Sequence, residues 1–250
     1  MERAAVRGRL NWLEAEVVEL VQEAPRVKTI VFEVPGWIGH LPGQHVDIRL
    51  TAEDGYQAQR SYSIANANGS KRVALTVEAV ENGEVSPYLV SELVVGDRIE
   101  LRGPIGGYFV WEPSKGGPLQ LIAGGSGLVP LMAMVRSQTG VSAATPTRLL
   151  ASARSWEELI YRDELEKSSV DLGSFEVVYT LTRSQPPGWT GYSRRIDQDL
   201  LGDSTWPIED KPLTFICGPT GFVETAAAIM LELGHQPGRI KTERFGPSGG

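Results

Sequence analysis

Residues 121–135 read LIAGGSGLVPLMAMV, which is a short apolar run, a glycine-rich turn and the beginning of a helix. The chain ahead of this stretch has a different period, because apolar and polar residues alternate there in short segments separated by turn signals. Several short strands at such spacing are typical of a barrel, so we expect an N-terminal antiparallel β-barrel of Greek-key type. The predicted strands are TIVFEV (29–34), HVDIRL (45–50), RVALTVEAV (72–80) and DRIELRG (97–103).

Beyond residue 118 strands alternate with helices, which indicates a C-terminal α/β domain with a parallel sheet. Residues 155–168 are amphipathic, and Ser155 with Glu158 fits a capping box, so we expect a helix to begin there. The segment EPSKGGP (112–118) reads as a linker between a barrel domain, residues 1–113, and an α/β domain, residues 118–250. The other predicted elements are strands 147–154, 175–182 and 212–218 and helices 128–138 and 221–234, the last closed by Gly234.

The composition argues against several classes of protein. The 250-residue chain has a net charge of -7, which disfavours nucleic-acid binding. No apolar run approaches the roughly 20 residues that cross a bilayer, and the first residues contain no continuous apolar segment, so we expect no signal peptide and a cytoplasmic protein without membrane insertion. One cysteine, Cys217, and three scattered histidines provide no ligand set for zinc or an iron–sulfur cluster, so we expect no metal.

The glycine-rich turn is a candidate binding site. Gly124, Gly125, Ser126 and Gly127 follow a predicted strand of a parallel sheet, and such sheets bind ligands at the carboxyl ends of their strands. The free N–H groups of the helix that follows attract an anion such as a pyrophosphate. The alternative is a tight turn without a ligand, which has the same sequence pattern in any α/β protein. A second strand end carries Cys217, Gly218 and Pro219, where the cysteine is either a site residue or a small buried side chain.

The segment RSYSIAN (60–66) concentrates a cation, a phenol, two hydroxyls and an amide in seven positions. It follows a segment of strand periodicity. In a strand Arg60 and Tyr62 point to one face and Ser61 and Ser63 to the other. We therefore expect two different chemical surfaces along this one strand.

Together these segments resemble the ferredoxin–NADP reductase superfamily, in order and over nearly the whole chain. Its members join a flavin-binding antiparallel barrel to a pyridine-nucleotide-binding α/β domain. The chain departs from the plant-type pattern in having Phe245, not Tyr, with five residues after it. Some relatives continue into a four-cysteine ferredoxin-like domain that this sequence does not show, so we expect either a separate carrier or a fragment of a longer chain. The matching motifs are Arg60-x-Tyr62-Ser63, Gly83-x-x-Ser86, GPIG (103–106), GGSGLVP (124–130), CGP (217–219) and Glu243-Arg244-Phe245.

The resemblance implies roles for the residues of the barrel motifs. Arg60 would pair with the flavin phosphate, an interaction worth roughly 1.5–3 kcal/mol. Tyr62 would stack on the isoalloxazine ring and Ser63 would place its hydroxyl near the flavin N5. The remaining expected flavin contacts are Ile64, Val77, Gly83, Val85 and Ser86.

The resemblance also implies the site of hydride transfer. Phe245 would cover the other face of the flavin and yield to the nicotinamide, with Glu243 near the same pocket. Ser63, Cys217, Glu243 and Phe245 are therefore the expected catalytic group. Gly124 to Gly127 and Cys217 to Pro219 are expected to hold the nucleotide.

Arginines at strand ends bear on the choice of nucleotide. Arg154 ends one predicted strand, Arg183 ends the next, and Arg194 and Arg195 follow in GYSRRID. A 2′-phosphate requires cations at this position, and bacterial NADP-type members of the superfamily place arginines there. We expect Arg154, Arg183 and Arg195 to bind it, so NADPH is favoured over NADH, while solvated loop arginines are the alternative.

The resulting prediction is an FAD-dependent NAD(P)H reductase that passes electrons to a separate one-electron acceptor, such as a ferredoxin or the redox centre of a multicomponent enzyme. A flavin accepts two electrons as hydride and releases them singly. FAD is favoured over FMN by the habit of the family, and we expect a monomer. Two alternatives stay open: a reductase that releases reduced flavin, and a non-catalytic flavin relay subunit.

Overall fold

The computed structural model of the protein describes residues 10–67, 69, 71–138 and 145–246. Residues 1–9, which bear on the expected absence of a signal peptide, lie outside this description. So do residues 247–250, which belong to the tail that departs from the plant-type pattern. The first sheet has six antiparallel strands in the order β4-β3-β6-β1-β2-β5. A bridge between Ile64 and Leu75 brings the far edges together and curls the sheet towards a barrel. Its strands are β1 (Leu13–Ala24), β2 (Val27–Glu33), β3 (His45–Thr51), β4 (Gln57–Ser63), β5 (Arg72–Glu78) and β6 (Arg98–Ile105).

Alternation along β3 and β4 separates a core face from an outer face. Val46 pairs with Tyr62 and Ile48 with Arg60 on the core side, while Asp47 pairs with Ser61 on the other. Val46 and Ile48 are fully buried, and the half-buried Tyr62 packs against the same core. The two predicted surfaces of this strand are therefore present. The short helix α1 (Val85–Ser91) inserts Val85 and Leu89 into this core.

The second sheet has five parallel strands in the order β11-β10-β7-β8-β9. Its central strand β7 is entirely buried, as expected of a parallel strand covered on both faces. This sheet and the barrel confirm the predicted fold class. Its elements are β7 (Leu119–Gly124), α2 (Leu128–Arg136), β8 (Thr147–Ala153), α3 (Arg162–Asp171), β9 (Phe175–Leu181), α4 (Gln198–Ser204), β10 (Leu213–Pro219), α5 (Thr220–Glu232) and β11 (Ile240–Phe245). No helix in the described part of the chain is long and apolar enough to cross a membrane.

The helix predicted from Ser155 begins seven residues later than expected, so the capping-box interpretation was wrong. Residues 154–161 form bends and turns, and α3 starts at Arg162 after Tyr161, whose φ is +59°. The reason is tertiary packing, which overrides local propensity. Leu159, Ile160 and Tyr161 are buried in the core, and a continuous helix would present them on several faces.

One apolar core joins the two sheets. Ala24, Val27, Ala65 and Ala74 of the barrel belong to the same buried cluster as the residues of β7 and α2. Small side chains at these barrel positions let the two layers approach closely. Packing of this core therefore constrains the relative position of the two halves.

Gly43 is a point of close approach between the barrel and the α/β half. Its φ is +91°, and a Cβ there would lie 2.0 Å from the carbonyl oxygen of Phe109 and 3.0 Å from the methyl carbon of Met134. We predict that Gly43→Ala lowers the free energy of unfolding by about 2–4 kcal/mol, since backbone strain and a clash with backbone add. Urea denaturation monitored by circular dichroism measures the change.

Gly55→Ala is the matched control, because Gly55 has a similar φ of +87° and nothing within 4 Å of its added Cβ. It should cost only the conformational term of about 1–2 kcal/mol. Equal losses in the two variants would show that the approach of Phe109 to Gly43 does not constrain the fold.

Candidate functional site

A cleft of about 130 Å³ lies between the barrel and the parallel sheet. The barrel contributes the outer face of β3 and β4, and the parallel sheet contributes the ends of β10 and β11. Four predicted site residues from three separate motifs meet here. The lining residues are His45, Ser61, Ser63, Cys217, Glu243, Arg244 and Phe245.

The register of β10 and β11 brings the late motifs together. These strands are parallel, with Cys217 opposite Glu243 and Pro219 opposite Phe245. Parallel neighbours end at the same edge of a sheet, so residues 26 positions apart become adjacent there. Phe245, at the end of β11, is 37% exposed, which leaves its ring accessible at the mouth of the cleft.

Glu243 is the carboxyl group held inside the cleft. Burial raises its pKa to about 7 from an ordinary 4.5, because a charge is costly away from water. Its Oε2 atom is buried and has no hydrogen-bond partner within the described residues. Buried polar atoms are nearly always paired in proteins. This oxygen is therefore available to a group that enters the cleft, and the carboxyl can hold a proton near neutral pH.

Cys217 faces the same space but is 2% exposed. Burial, reinforced by the neighbouring Glu243, raises the pKa of its thiol well above the ordinary value. The thiolate is the nucleophilic form of cysteine. Cys217 therefore contributes a thiol that resists ionisation to the wall of the cleft.

Sequence reasoning missed the barrel wall of the cleft, which includes His45 and Ser61. The Ser61 hydroxyl donates to the Asp47 carboxylate at 2.7 Å, and the same carboxylate accepts from Arg102 at 2.6 Å. Burial lowers the pKa of His45, while Asp47 opposes the shift. Alternation in HVDIRL and RSYSIAN, combined with their antiparallel pairing, contained the signal, because His45 lies opposite Ser63.

Arg60 and Tyr62 lie on the opposite face of β4 from the cleft residues Ser61 and Ser63. The guanidinium of Arg60 is 4.0 Å from the Glu84 carboxylate, and both side chains are more than half exposed, so this ion pair is weak. Burial raises the pKa of Tyr62, with Arg60 acting in the opposite direction. The structure thus places Arg60 beside the segment that begins α1.

The other predicted flavin contacts lie either in the barrel core or in the segment around the start of α1. Ile64 and Val77 are buried in the barrel core. Gly83 lies in the turn before α1, and the hydroxyl of Ser86 accepts a hydrogen bond from the backbone of Val80 at 3.1 Å. Val85 is buried below it. The structure brings Arg60 and the Gly83–Ser86 segment together at one edge of the barrel.

The glycines of the predicted nucleotide turn serve two purposes. A Cβ at Gly127 would lie 2.2 Å from the carbonyl oxygen of Cys217, and one at Gly124 or Gly218 would meet the ring of Phe222 within 2.9 Å. These three positions are glycine because protein atoms approach them. Gly125 has a φ of +55° and open space above it, so it alone leaves room for a ligand beside Ser126. Pro219 is exposed and precedes α5.

The strand-end arginines lie at the carboxyl edge of β8 and β9. The backbone N–H of Arg183 donates to the carbonyl of Arg154 at 2.9 Å, which places both residues side by side, and both are exposed. Arg194 is paired with Asp197 at 3.3 Å. Among the residues that the structure describes, the guanidinium groups of Arg154, Arg183 and Arg195 form no ion pair, and all three side chains are exposed.

Two domain families match this chain, and together they cover both halves. An oxidoreductase FAD-binding domain matches residues 14–110, and an oxidoreductase NAD-binding domain matches residues 121–228. Within the described ranges, no three histidine, cysteine or acidic side chains come together as a metal site.

Individual relatives match over most of the chain. Ferredoxin–NADP reductase B of Sorangium cellulosum is 33% identical over 244 residues, which cover 93% of this chain and 97% of the relative. The ferredoxin–NAD(P)+ reductase component of the naphthalene 1,2-dioxygenase/salicylate 5-hydroxylase systems of a Ralstonia species is 28% identical over 83% of this chain. The match covers 61% of that relative, so the chain spans about three-fifths of its length.

The structure of the flavohem-like FAD/NAD-binding domain of nitric oxide dioxygenase from Vibrio cholerae is similar, with a TM-score of 0.83 and 25% identity. The superposition covers 94% of this chain and 99% of that one. The arrangement of an antiparallel barrel and a parallel sheet is thus shared with a solved FAD/NAD-binding domain. The chain belongs to the ferredoxin–NADP reductase superfamily and is an FAD-dependent reductase.

Proposed function

We propose that the protein transfers hydride from NADPH to FAD in the cleft and passes the electrons singly to a separate redox protein. The observation that supports this most strongly is the meeting of Ser63 from the barrel with Cys217, Glu243 and Phe245 from the parallel sheet. A reductase of this kind needs one group that holds the flavin and another that admits the nicotinamide. One wall of the cleft comes from the barrel, which would hold the flavin, and the other comes from the α/β domain, which would admit the nicotinamide.

The residues present fit an FAD. Arg60 is an exposed cation with only a weak partner, as a phosphate ligand requires, and it lies beside the turn Gly83 to Ser86. Tyr62 and Ser63 would contact the ring where β4 ends, while Ile64, Val77 and Val85, whose side chains are buried in the barrel core, would contribute through their backbone. FAD supplies the chemistry of taking up a hydride and releasing electrons one at a time.

The groups of the chain around the cleft control protons and access. Glu243, with a pKa of about 7, can hold or release a proton at its unpartnered Oε2 atom. The neutral thiol of Cys217 adds no charge to repel a hydride. Phe245 covers the mouth of the cleft and is exposed enough to turn aside for a nicotinamide.

The nucleotide-binding half supports NADPH as the donor. Open space at Gly125 and the N–H groups that follow it suit the pyrophosphate, with Gly124, Gly127 and Gly218 shaping the surrounding backbone. Arg154, Arg183 and Arg195 are suited to a 2′-phosphate, because a dianion at this edge would find three cations without an ion-pair partner.

The acceptor is proposed by class. Relatives carry the names of ferredoxin reductases and of electron-transfer components of dioxygenases, so we propose an iron–sulfur protein or the redox centre of a multicomponent enzyme. The second candidate is a reductase that releases reduced flavin. The dedicated position of Arg60 beside Gly83 to Ser86 favours retention of the flavin over its release.

The test of this function starts from the bound flavin. The purified protein should be yellow, release FAD on denaturation, and bleach on anaerobic mixing with NADPH while keeping its flavin through gel filtration. Arg60→Ala should weaken FAD affinity by about ten- to a hundred-fold, at ~1.4 kcal/mol per decade. Equilibrium dialysis against FAD measures the loss.

Arg98→Ala is the matched control, because Arg98 is a barrel arginine whose side chain is 59% exposed, as is that of Arg60. It should leave FAD affinity unchanged. Equal effects of both substitutions would remove Arg60 from the phosphate site. A wild-type protein whose flavin does not bleach with NADPH would exclude the proposed reductase activity. Loss of reduced flavin from the protein during gel filtration would favour a reductase that releases reduced flavin.

The raised pKa of Glu243 has a consequence for stability. Below pH 4.5 the carboxyl is protonated in both states, and as pH rises the unfolded chain ionises first, which favours unfolding. We predict that the free energy of unfolding of the wild type falls relative to Glu243→Gln by on the order of 3 kcal/mol between pH 4.5 and pH 8. Urea denaturation of flavin-free protein across this range gives the difference.

Glu209→Gln, at an exposed position, controls for the loss of a charge and should track the wild type across the same range. A constant difference between wild type and Glu243→Gln at all pH values would mean that Glu243 titrates normally in the folded protein and holds no proton at neutrality.

The nucleotide preference is tested at Arg154. The wild type should have a higher kcat/KM with NADPH than with NADH. Arg154→Ala should cost roughly 1.5–3 kcal/mol with NADPH, on the order of ten- to a hundred-fold, and leave NADH nearly unaffected. Arg183→Ala and Arg195→Ala should act similarly but not additively, since all three would share one phosphate.

Arg194→Ala is the internal control, because this arginine is already paired with Asp197 and should matter little. Steady-state kinetics give kcat/KM with NADPH and with NADH for the wild type and each variant. A wild type at least as efficient with NADH, or an Arg154 variant that loses both nucleotides alike, would contradict the proposed phosphate site.

A further inference from the structure

The helix α2 connects the nucleotide turn to the strand that carries the flavin motif. Its first turn follows Gly125 to Gly127, and its last residue is Arg136. The helix has nine residues, or about 13 Å at 1.5 Å per residue. Eight of them are buried, so the helix cannot shift without disturbing the shared core.

Arg136 makes three contacts from this fixed position. It donates to the carbonyl oxygen of Ala65 at 2.6 Å. It also binds Glu164 through two parallel hydrogen bonds of 2.8 and 2.5 Å, and its guanidinium lies 4.5 Å from the centre of the Tyr161 ring. Ala65 is two residues after Ser63, so one side chain of the α/β domain holds the end of the flavin strand.

Tyr161 extends the contact across the barrel. It is 4% exposed, and its hydroxyl donates to Thr76 of β5. The hydroxyls of Thr76 and Thr29 are 2.7 Å apart, and Thr29 donates to Glu23 at 2.6 Å. Three neighbouring barrel strands are thus linked through hydrogen bonds to the α/β domain, and all four hydroxyl or carboxyl groups find partners.

We propose that Arg136, supported by Glu164 and Tyr161, is a positioning residue that sets the separation between the flavin strand and the nucleotide turn. This inference rests on the proposed function for its kinetic consequence. Arg136 lies at the far end of α2 from the glycine turn and contacts no residue of the cleft. It acts through Ala65 on the path of residues 63–65 relative to β10 and β11.

The effect on catalysis follows from the geometry of hydride transfer. The donor and acceptor must approach closely, and a misplacement of 1 Å can cost about a hundred-fold in rate. Loss of Arg136 should therefore slow flavin reduction at saturating NADPH by about ten-fold or more. FAD content and the KM for NADPH should stay unchanged, because neither binding site loses a group.

A matched control lies in the same domain. Arg148 also binds a carboxylate, a backbone carbonyl and an aromatic ring, namely those of Glu176, Thr205 and Trp206. Its side chain is 27% exposed, against 22% for Arg136. All of its partners belong to the α/β domain, so Arg148→Met removes equivalent contacts without touching the barrel.

The experiment measures position and rate separately. Spin labels at Val94→Cys and Leu231→Cys, which are exposed positions in the two domains, report the interdomain distance in flavin-free full-length protein, while the buried Cys217 stays unlabelled. The distribution should be narrow in the wild type and in Arg148→Met and broad in Arg136→Met. Stopped-flow reduction by NADPH should be slowed in Arg136→Met and not in Arg148→Met, and Arg136→Lys, which keeps a single cationic donor nitrogen, should recover part of the rate.

Tyr161→Phe provides a second variant if Arg136→Met does not fold, and it should broaden the distance distribution through the loss of the bond to Thr76. Distributions as narrow as that of the wild type in the Arg136 and Tyr161 variants would overturn the proposal. A broad distribution with an unchanged reduction rate would overturn its catalytic part. Absence of bleaching in the wild type would refute the proposed function, while the distances would still decide whether Arg136 positions the domains.

Discussion

The structure depends on the close approach of two differently built layers through one shared apolar core. Alanines of the barrel, among them Ala65 and Ala74, meet the buried residues of β7 and α2. Gly43 lets the backbone of Phe109 and the side chain of Met134 approach more closely than any side chain at this position would allow. Because protein interiors pack at crystal-like density, the shared apolar core constrains the width of the cleft. The geometry of the site is therefore a property of the interface and not of either domain alone.

The sequence was sufficient to predict the architecture. Alternation in HVDIRL and the change of period after residue 118 are local signals, and the barrel and the parallel sheet followed from them. The start of α3 could not be read locally, since Ser155 and Glu158 satisfy a capping box while Tyr161 is drawn into the core. A pattern within one segment carries no information about what another segment will cover.

The residues of the candidate site also fall into those that local motifs predict and those that depend on how the strands pair. Motifs predicted Ser63, Cys217, Glu243 and Phe245, and the structure gathers all four in one cleft. His45 and Ser61 were missed because their role depends on which strand lies beside which. Sequence also gave no hint that Gly124 and Gly127 are required mainly by Phe222 and Cys217. Glycine tolerates a ligand and a neighbouring side chain equally well, so only coordinates separate the two uses.

The position of β11 bears on the order in which the protein becomes competent during synthesis. Glu243 and Phe245 lie in the edge strand of the parallel sheet, and this strand is the last of the described elements to be translated. All barrel residues proposed to hold the flavin leave the ribosome well before it. A nascent chain can thus fold its barrel while the wall opposite Ser63 is still incomplete. The cleft is complete only when β11 pairs with β10, so a product truncated before β11 would lack one of its walls.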